Sequence, residues 1–178
     1  KLKEGDSVAI DGACQTVVNV EETLFTVQAV GETLLKTTFR EYQAGRRVNL
    51  ESALTLNTPL GGHMVQGHVQ GLAEITGWRP RGDNYYLELE LPENLVRYCI
   101  AEGSIAVDGI SLTIAQLQQM TVGISIVPYT VEKTTLREKQ VGDRVNIETD
   151  IVARYVEKFT ASGSAGNITL DKLKNWGY

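Results

Sequence analysis

The feature that most constrains the fold is an internal repeat with an offset of 97 residues and no gap. Residues 7–16 read SVAIDGACQT, and residues 104–113 read SIAVDGISLT. The match continues through KTT at 36–38 and 133–135, and through VNLE at 48–51 and VNIE at 145–148. Short periods are typical of solenoids, whereas a period of this length allows each copy to form its own hydrophobic core. The repeat therefore predicts two similar domains in tandem.

Each copy is predicted to be a small β domain. Val, Ile and Ala residues precede Asp11-Gly12 and Asp108-Gly109, and Asp-Gly supports the positive φ values of a tight hairpin turn. After the second turn, Ser111 and Thr113 are two residues apart on a strand, so both hydroxyl groups face the same side of the sheet.

The repeat also divides the chain. We expect a first domain at 1–60, a second at 61–159, and a linker with a C-terminal helix at 160–178, whose cap is Thr169. The second copy has about forty residues before its hairpin, but the first has almost none. Since half a barrel leaves an unpaired sheet edge, we expect that this chain lacks its natural start and that the first barrel lacks its N-terminal strand.

Periodicity predicts the elements. The first copy has predicted strands at 7–10, 13–20, 24–30 and 47–54, with a helical turn at 31–36. The second has strands at 65–76, 85–91, 104–107, 110–114, 122–127 and 144–149, with a turn at 79–84 and a short helix from Pro92 through Ile100. A helical turn follows Pro128, Asp150 caps a helix at 151–159, and small residues at 160–166 predict a linker.

Composition excludes several functions. The formal net charge is −5 and no basic cluster occurs, which argues against nucleic acid as a partner. No apolar run approaches the roughly 20 residues of a membrane span. Cys14 and Cys99 fit no metal or redox spacing, so we expect no metal site and a reducing, cytoplasmic location.

The candidate polar residues form a small set, and each also has a structural interpretation. A histidine on a strand is more often structural, a single cysteine is more often a buried small residue, and Asp150 also serves as a helix cap. His63 is interpreted as structural, and no Ser-His-Asp signature or phosphate loop occurs. The residues alone predict two β-barrels, each with a small polar pocket. The candidates are Cys14, Thr16, His68, Ser111, Thr113 and Asp150.

The motifs resemble those of the riboflavin synthase family, over nearly the whole chain. Residues 11–16 (DGACQT) resemble the first-barrel signature, and residues 61–69 (GGHMVQGHV) resemble the interdomain signature. Residues 108–113 (DGISLT) resemble the second-barrel signature, and residues 145–150 (VNIETD) the end of that barrel.

The resemblance implies a fold and a reaction. The fold is all-β, with two tandem six-stranded antiparallel Greek-key barrels, short helices and a C-terminal helix. The enzyme is a transferase that dismutates two 6,7-dimethyl-8-ribityllumazine molecules into riboflavin and 5-amino-6-(ribitylamino)uracil by transfer of a four-carbon unit. It is a homotrimer with active sites between subunits, associates with lumazine synthase, and needs no metal or organic cofactor.

The resemblance also implies roles for residues. His68 and Thr113 transfer protons in the second pocket. Ser7 and Cys14 polarise or add to the lumazine in the first pocket, Ser111 joins the catalytic set, and Asp150 orients the interface. The ligand-binding residues of the first pocket are Cys14, Gln15, Thr16, Gln28, Ala29, Val30, Gly31, Glu32 and Thr33. Those of the second are Gly67, His68, Val69, Glu102, Ser111, Leu112, Thr113, Ser125, Ile126, Val127, Pro128, Tyr129 and Thr130.

Some positions depart from the family pattern. The family's opening Met-Phe-Thr-Gly segment, which lines the first pocket, is absent from this chain. Gln15 replaces a common leucine, and its side chain is expected to point away from the pocket. Glu102 stands where some members have lysine, and Tyr129 stands where the first copy has Glu32, so the two pockets need not bind equally.

Two other functions fit a doubled barrel. One is a lumazine- or flavin-binding antenna protein without catalysis, which the presence of both His68 and Cys14 disfavours. The other is an oligonucleotide-binding barrel, which the acidic balance and the lack of a basic-aromatic groove disfavour.

Overall fold

The computed structural model describes residues 2–163, and the side chains of 2–160. The first repeat contains β1 (Ser7–Ile10), β2 (Ala13–Val20), β3 (Phe25–Val27), α1 (Gly31–Lys36), a 3-10 helix (Thr38–Glu41) and β4 (Leu50–Ser52). The second contains β5 (Gly71–Arg81), β6 (Asn84–Glu90), α2 (Glu93–Val96), β7 (Ser104–Val107), β8 (Ile110–Gln118), β9 (Thr121–Ile126), α3 (Pro128–Lys133), a 3-10 helix (Thr135–Glu138), β10 (Arg144–Thr149) and α4 (Ile151–Gly163).

The second repeat closes into a barrel with the strand order β10-β5-β6-β9-β8-β7. All six pairings are antiparallel. Because β6 pairs with β9 rather than with β7, the chain crosses one end of the barrel through α2 before it enters β7. Closure leaves no strand edge unpaired.

The barrel interior is the main hydrophobic core. Strand alternation buries one face of each strand, as in β6, where Leu87 and Leu89 are fully buried while Glu88 and Glu90 lie on the opposite face. Ile75, Ile114 and Ile147 are fully buried from other strands. Complete burial of a side chain of this size contributes about 1.5–3 kcal/mol, so the barrel residues stabilise this half of the molecule.

The first repeat forms a four-stranded sheet with the order β3-β2-β1-β4. At an offset of 97 these strands are β9-β8-β7-β10 of the barrel, in the same order. The helix α1 falls on α3, and the two 3-10 helices also coincide. The all-β fold of two related units is therefore confirmed. The described residues of the first repeat thus form an open sheet of four strands, which correspond to four of the six strands of the barrel.

The strand predicted at 65–76 was wrong in its first half, because β5 begins at Gly71 and extends to Arg81. Residues 65–70 form no regular strand, since their backbone groups are bound elsewhere. The Gln66 and His68 amides donate to Glu148, and the Gly67 carbonyl accepts from the Cys14 amide. The pairing of β5 with β6 has a bulge between Ile75 and Gly77.

Other boundaries differ in smaller ways. The strands predicted at 24–30 and 47–54 are only three residues long, at Phe25–Val27 and Leu50–Ser52, and the helix after Pro92 ends at Val96. Asp150 does cap α4, because its Oδ1 accepts from the Val152 amide at 2.9 Å. The predicted linker at 160–166 is contradicted at its start, since α4 continues to Gly163. The predicted terminal helix from Thr169 lies outside the described residues.

Within residues 2–163, no helix is both long and apolar enough to cross a membrane.

Candidate functional site

Each repeat presents a row of polar side chains across neighbouring strands. In the first repeat, Ser7 pairs with Thr16, and one further step along the pairing of Val17 with Val27 sets Thr16 opposite Gln28. All three residues of this row are exposed. Directly opposite residues share one face of a sheet, so Ser7, Thr16 and Gln28 form a continuous polar surface.

The second repeat repeats this row. Ser104 pairs with Thr113, and one step beyond the pair Ile114–Ile124 sets Thr113 opposite Ser125. Thr113 and Ser125 are exposed, and Ser104 is half-buried. Ser104 is not among the site residues predicted from the sequence, although the 97-residue offset from Ser7 points to it.

A helical turn follows each row at the same place. Val30 and Val127 are the N-cap residues of α1 and α3, with extended backbones. Val30, Gly31 and Glu32 are exposed in the first repeat, as are Val127, Pro128 and Tyr129 in the second, while Thr33 and Thr130 are half-buried. The predicted ligand-binding stretches therefore occupy equivalent positions beside the two polar rows.

A cavity of about 880 Å³ lies between the first sheet and the barrel. It brings together Ser7, Cys14, Gly67 and Ser111 of the predicted site. The polar rows do not enter it as a whole, because Thr16 and Thr113 are not among its lining residues. His68 and Asp150 also lie outside its lining.

The segment that carries His68 is held against both repeats. The Cys14 amide donates to the Gly67 carbonyl at 2.8 Å, and a Cβ on Gly67 would lie 2.6 Å from the Cys14 Cβ. Gly67 has φ +78°, so both space and backbone conformation require glycine here. The buried Glu148 carboxylate accepts from the Gln66 amide at 2.7 Å and from the His68 amide at 2.9 Å. The His68 side chain itself is exposed.

His63 contacts Ser111, which the structural interpretation of this histidine did not foresee. Its Nδ1 lies 2.8 Å from the Ser111 Oγ. The neighbouring Gly62 has φ +85°, and a Cβ at this position would overlap the Ser111 side chain. Burial lowers the pKa of the His63 imidazole, while Asp150 and Glu148 oppose that shift. The paired glycines at 61–62 were the available signal, because they permit a close approach of the chain.

Three other predicted residues lie away from this cavity. Gln15 is buried, and its Nε2 donates to the Cys14 carbonyl at 2.6 Å, so its side chain does not share the exposed face of Cys14 and Thr16. Glu102 is exposed in a turn with φ +64°, and its amide donates to the Ile114 carbonyl. Asp150 is half-buried at the start of α4.

The two Asp-Gly hairpins meet at the boundary between the repeats, and their aspartates differ in environment. The Tyr42 hydroxyl donates to the Asp11 Oδ2 at 2.5 Å, and this burial beside a carboxylate raises the pKa of Tyr42. At the equivalent place, the Lys139 ammonium lies 2.9 Å from the Asp108 Oδ2. Burial raises the pKa of Asp108 to about 6, although Lys139 acts in the opposite direction.

Among the described residues, no group of three or more His, Cys, Asp or Glu side chains could hold a metal ion. The predicted site residues offer hydroxyl groups, the exposed thiol of Cys14, the imidazole of His68 and the carboxylate of Asp150.

Comparison with known proteins identifies relatives along most of the sequence. Residues 1–53 and 66–150 match the model of the family described as Lumazine binding domain. A riboflavin synthase from Mycobacterium bovis is 44% identical over 162 residues, which cover 89% of this chain and 81% of the relative. A riboflavin synthase from Actinobacillus pleuropneumoniae is 38% identical over 178 residues, which cover 98% of this chain and 83% of the relative.

Solved structures show the same fold. The crystal structure of LumP complexed with riboflavin matches with a TM-score of 0.76 at 25% identity, over 83% of this chain and 80% of that one. The complex of LumP with 6,7-dimethyl-8-(1'-D-ribityl) lumazine matches with a TM-score of 0.74 at 24% identity, over 83% and 79% of the two chains.

Proposed function

We propose that this chain, which belongs to the riboflavin synthase family of enzymes, catalyses the dismutation of two 6,7-dimethyl-8-ribityllumazine molecules. One lumazine gives up a four-carbon unit and becomes 5-amino-6-(ribitylamino)uracil, and the other gains that unit and becomes riboflavin. The observation that carries the proposal is the doubled polar row, Ser7–Thr16–Gln28 and Ser104–Thr113–Ser125, in a chain with relatives of this name.

The duplication suits a reaction between two copies of one molecule. Two equivalent surfaces offer hydroxyl and amide groups that donate to and accept from the polar edge of a pteridine and a ribityl chain. Holding both lumazines in fixed orientations replaces a bimolecular encounter by a positioned one, which supplies much of the rate enhancement.

The chemistry also needs proton transfer and a nucleophile. We assign proton removal from the acidic 7-methyl group to His68 and Thr113, and polarisation of or addition to the other lumazine to Ser7 and Cys14. The Glu148 carboxylate supports the first assignment, because it fixes the backbone on both sides of Gly67 and so limits where the His68 side chain can reach.

We further propose a homotrimer with active sites between subunits, in which Asp150 orients the interface. An apolar face of α4, formed by Val152, Tyr155, Val156 and Phe159, is exposed in the described chain and supports self-association through this helix. Sedimentation velocity should give the mass of three chains, and a monomer would contradict the assembly. Association with lumazine synthase stays a prediction, to be checked by co-sedimentation of the two proteins.

Incubation with the lumazine tests the function directly, since riboflavin appears as a new absorbing and fluorescent product. We expect wild-type turnover, a loss of at least about tenfold for His68→Ala and Cys14→Ala, and no change for Asn84→Ala, an exposed hairpin position. Circular dichroism should show that all variants fold. Turnover by the alanine variants equal to that of wild type would refute the assigned roles.

A non-catalytic flavin-binding protein is the second candidate, because the solved structures with this fold are complexes of LumP with riboflavin and a lumazine. This alternative predicts tight binding of riboflavin or the lumazine with no product after prolonged incubation. Binding and turnover in one titration separate the two functions.

A further inference from the structure

The contact between the two repeats is built from their Asp-Gly hairpins. A Cβ on Gly12 would lie 2.6 Å from the Gly109 amide nitrogen, and a Cβ on Gly109 would lie 2.8 Å from the Gly12 amide nitrogen. The backbones of the two turns therefore touch, with no side chain between them. Interactions that stabilise this contact therefore also fix the position of one repeat relative to the other.

Both polar atoms of the Asn146 side chain, which belongs to the second repeat, form hydrogen bonds with the first repeat. Its Nδ2 donates to the Asp11 carbonyl at 2.7 Å, and its Oδ1 accepts from the Thr38 amide at 2.8 Å. Its own backbone amide stays within the second repeat and donates to the Asp108 Oδ1 at 2.7 Å. The residue is 1% exposed, so water does not replace these bonds.

Asn49, from the first repeat, makes the reciprocal set. Its Nδ2 donates to the Asp108 carbonyl at 3.0 Å, and its Oδ1 accepts from the Thr135 amide at 2.9 Å. Its backbone amide donates to the Asp11 Oδ1 at 2.7 Å, within the first repeat. Each bond thus has a counterpart at an offset of 97, and every side-chain bond of the two asparagines crosses between the repeats.

Asparagine suits this position because its amide supplies a donor and an acceptor at once. Aspartate would keep the acceptor but lose the donor, and a buried carbonyl left without its donor is unfavourable. The Asn in VNLE and VNIE, which the motif comparison alone did not explain, is accounted for by these crossed bonds.

The hairpins lead directly into β2 and β8, which we call the ligand-facing strands because their residues Cys14 and Ser111 line the cavity. Cys14 follows Asp11 by three residues and pairs with Ala9 across the hairpin, and Ser111 follows Asp108 by three residues and pairs with Ala106. A displacement of the Asp11 carbonyl therefore moves Cys14, and a displacement of the Asp108 carbonyl moves Ser111.

We propose that Asn49 and Asn146 are positioning residues that act across the boundary: each sets the hairpin, and hence the ligand-facing strand, of the opposite repeat. The consequence for turnover rests on the proposed function, whereas the positioning itself is a property of the fold. An ordinary structural role would perturb the residue's own repeat, or both repeats alike.

Thiol reactivity tests the crossed pattern. Cys14 is exposed, whereas Cys99 is buried and its pKa is raised to about 11 by burial, so Ellman's reagent reports Cys14 first. We expect Asn146→Asp to change the reaction rate of Cys14 at least about threefold, and Asn49→Asp to change it less than about 1.5-fold. Asn84→Asp, at an exposed hairpin position, is the matched control.

A second reporter reverses the test. In a Cys14→Ser, Ser111→Cys background, Asn49→Asp should change the rate of the new thiol, and Asn146→Asp should not. Circular dichroism identifies any variant that fails to fold. If the buried Asn146→Asp variant does not fold, the Asn49→Asp variant is measured with both thiol reporters, and its effect on the two rates tests the proposal. Equal changes at both thiols, or none at either, would overturn the proposal.

Turnover separates this inference from the proposed function. If wild type produces riboflavin, the folded Asn49→Asp and Asn146→Asp variants should lose kcat with little change in KM, because each pocket still binds its ligand but Ser111 or Cys14 is displaced from its working position. If wild type produces none while the crossed reactivity pattern is present, the proposed function fails and the positioning role stands.

Discussion

Replacing Glu148 by glutamine tests how the His68 segment is held. Glu148 is 4% exposed, and its two carboxylate oxygens accept from the Gln66 and His68 amides. Glutamine keeps one oxygen and sets an NH₂ group against the other amide, so one charge-assisted hydrogen bond is lost and one backbone donor is left unsatisfied.

The magnitude follows from these two contacts. A hydrogen bond to a charged group contributes about 1.5–3 kcal/mol, and an unsatisfied buried donor costs about 1–3 kcal/mol. Release of the buried carboxylate from its desolvation cost offsets part of this sum. We therefore expect Glu148→Gln to lower the free energy of unfolding by about 2–4 kcal/mol, and to lower Tm by roughly 5–12 °C for a chain of this size.

Urea unfolding followed by tryptophan fluorescence measures the change, and the repeat supplies the control. Glu51 stands at the position equivalent to Glu148 and is exposed, so Glu51→Gln should change the free energy of unfolding by less than about 0.5 kcal/mol. Riboflavin formation should fall with Glu148→Gln, because the His68 backbone loses its anchor. A Glu148→Gln protein as stable as the Glu51→Gln control would show that the two hydrogen bonds do not hold the segment.

Two further predictions concern the boundary between the repeats. Gly12→Ala should lower the free energy of unfolding by more than about 3 kcal/mol or prevent folding, because Gly12 has positive φ and the added Cβ would contact Gly109. Gly5 also has positive φ but lies in open space, so Gly5→Ala should lower the free energy of unfolding by only about 1 kcal/mol in the same urea assay. The raised pKa of Asp108 means that the folded state binds more protons than the unfolded state between about pH 4 and pH 6. The unfolding free energy of wild type should thus fall as pH rises through that window, whereas that of Asp108→Asn should change less. Parallel pH profiles for the two proteins would contradict the raised pKa of Asp108.

Much of the architecture could be read from the printed sequence. The 97-residue offset equates α1 with α3 and the four strands of the first sheet with four strands of the barrel, and the structure keeps their order. The Asp-Gly turns occur where the sequence places them, with positive φ at Asp11, Gly12, Asp108 and Gly109. These features depend on residues close together in the chain, so local pattern is sufficient to predict them.

The site was only partly predictable from the sequence, because its contacts join residues that are far apart in the chain. Ser7, Cys14 and Ser111 share one cavity, as a duplicated site suggests. The glycines beside His63 indicate a close approach of the chain, but they do not identify Ser111, which is 48 residues away, as the partner of His63. The strand predicted at 65–76 was wrong over residues 65–70, because backbone groups of this segment bind Cys14 and Glu148 rather than a neighbouring strand.

Sequence by itself determined that one module occurs twice, with an Asp-Gly hairpin and equivalent hydroxyl or thiol positions in each copy. Tertiary structure alone decided how the copies meet, through the touching glycines and the crossed bonds of Asn49 and Asn146, and where the His68 segment lies. The reason is that hairpin and strand preferences arise between near neighbours, whereas buried polar groups must find partners wherever the folded chain brings them.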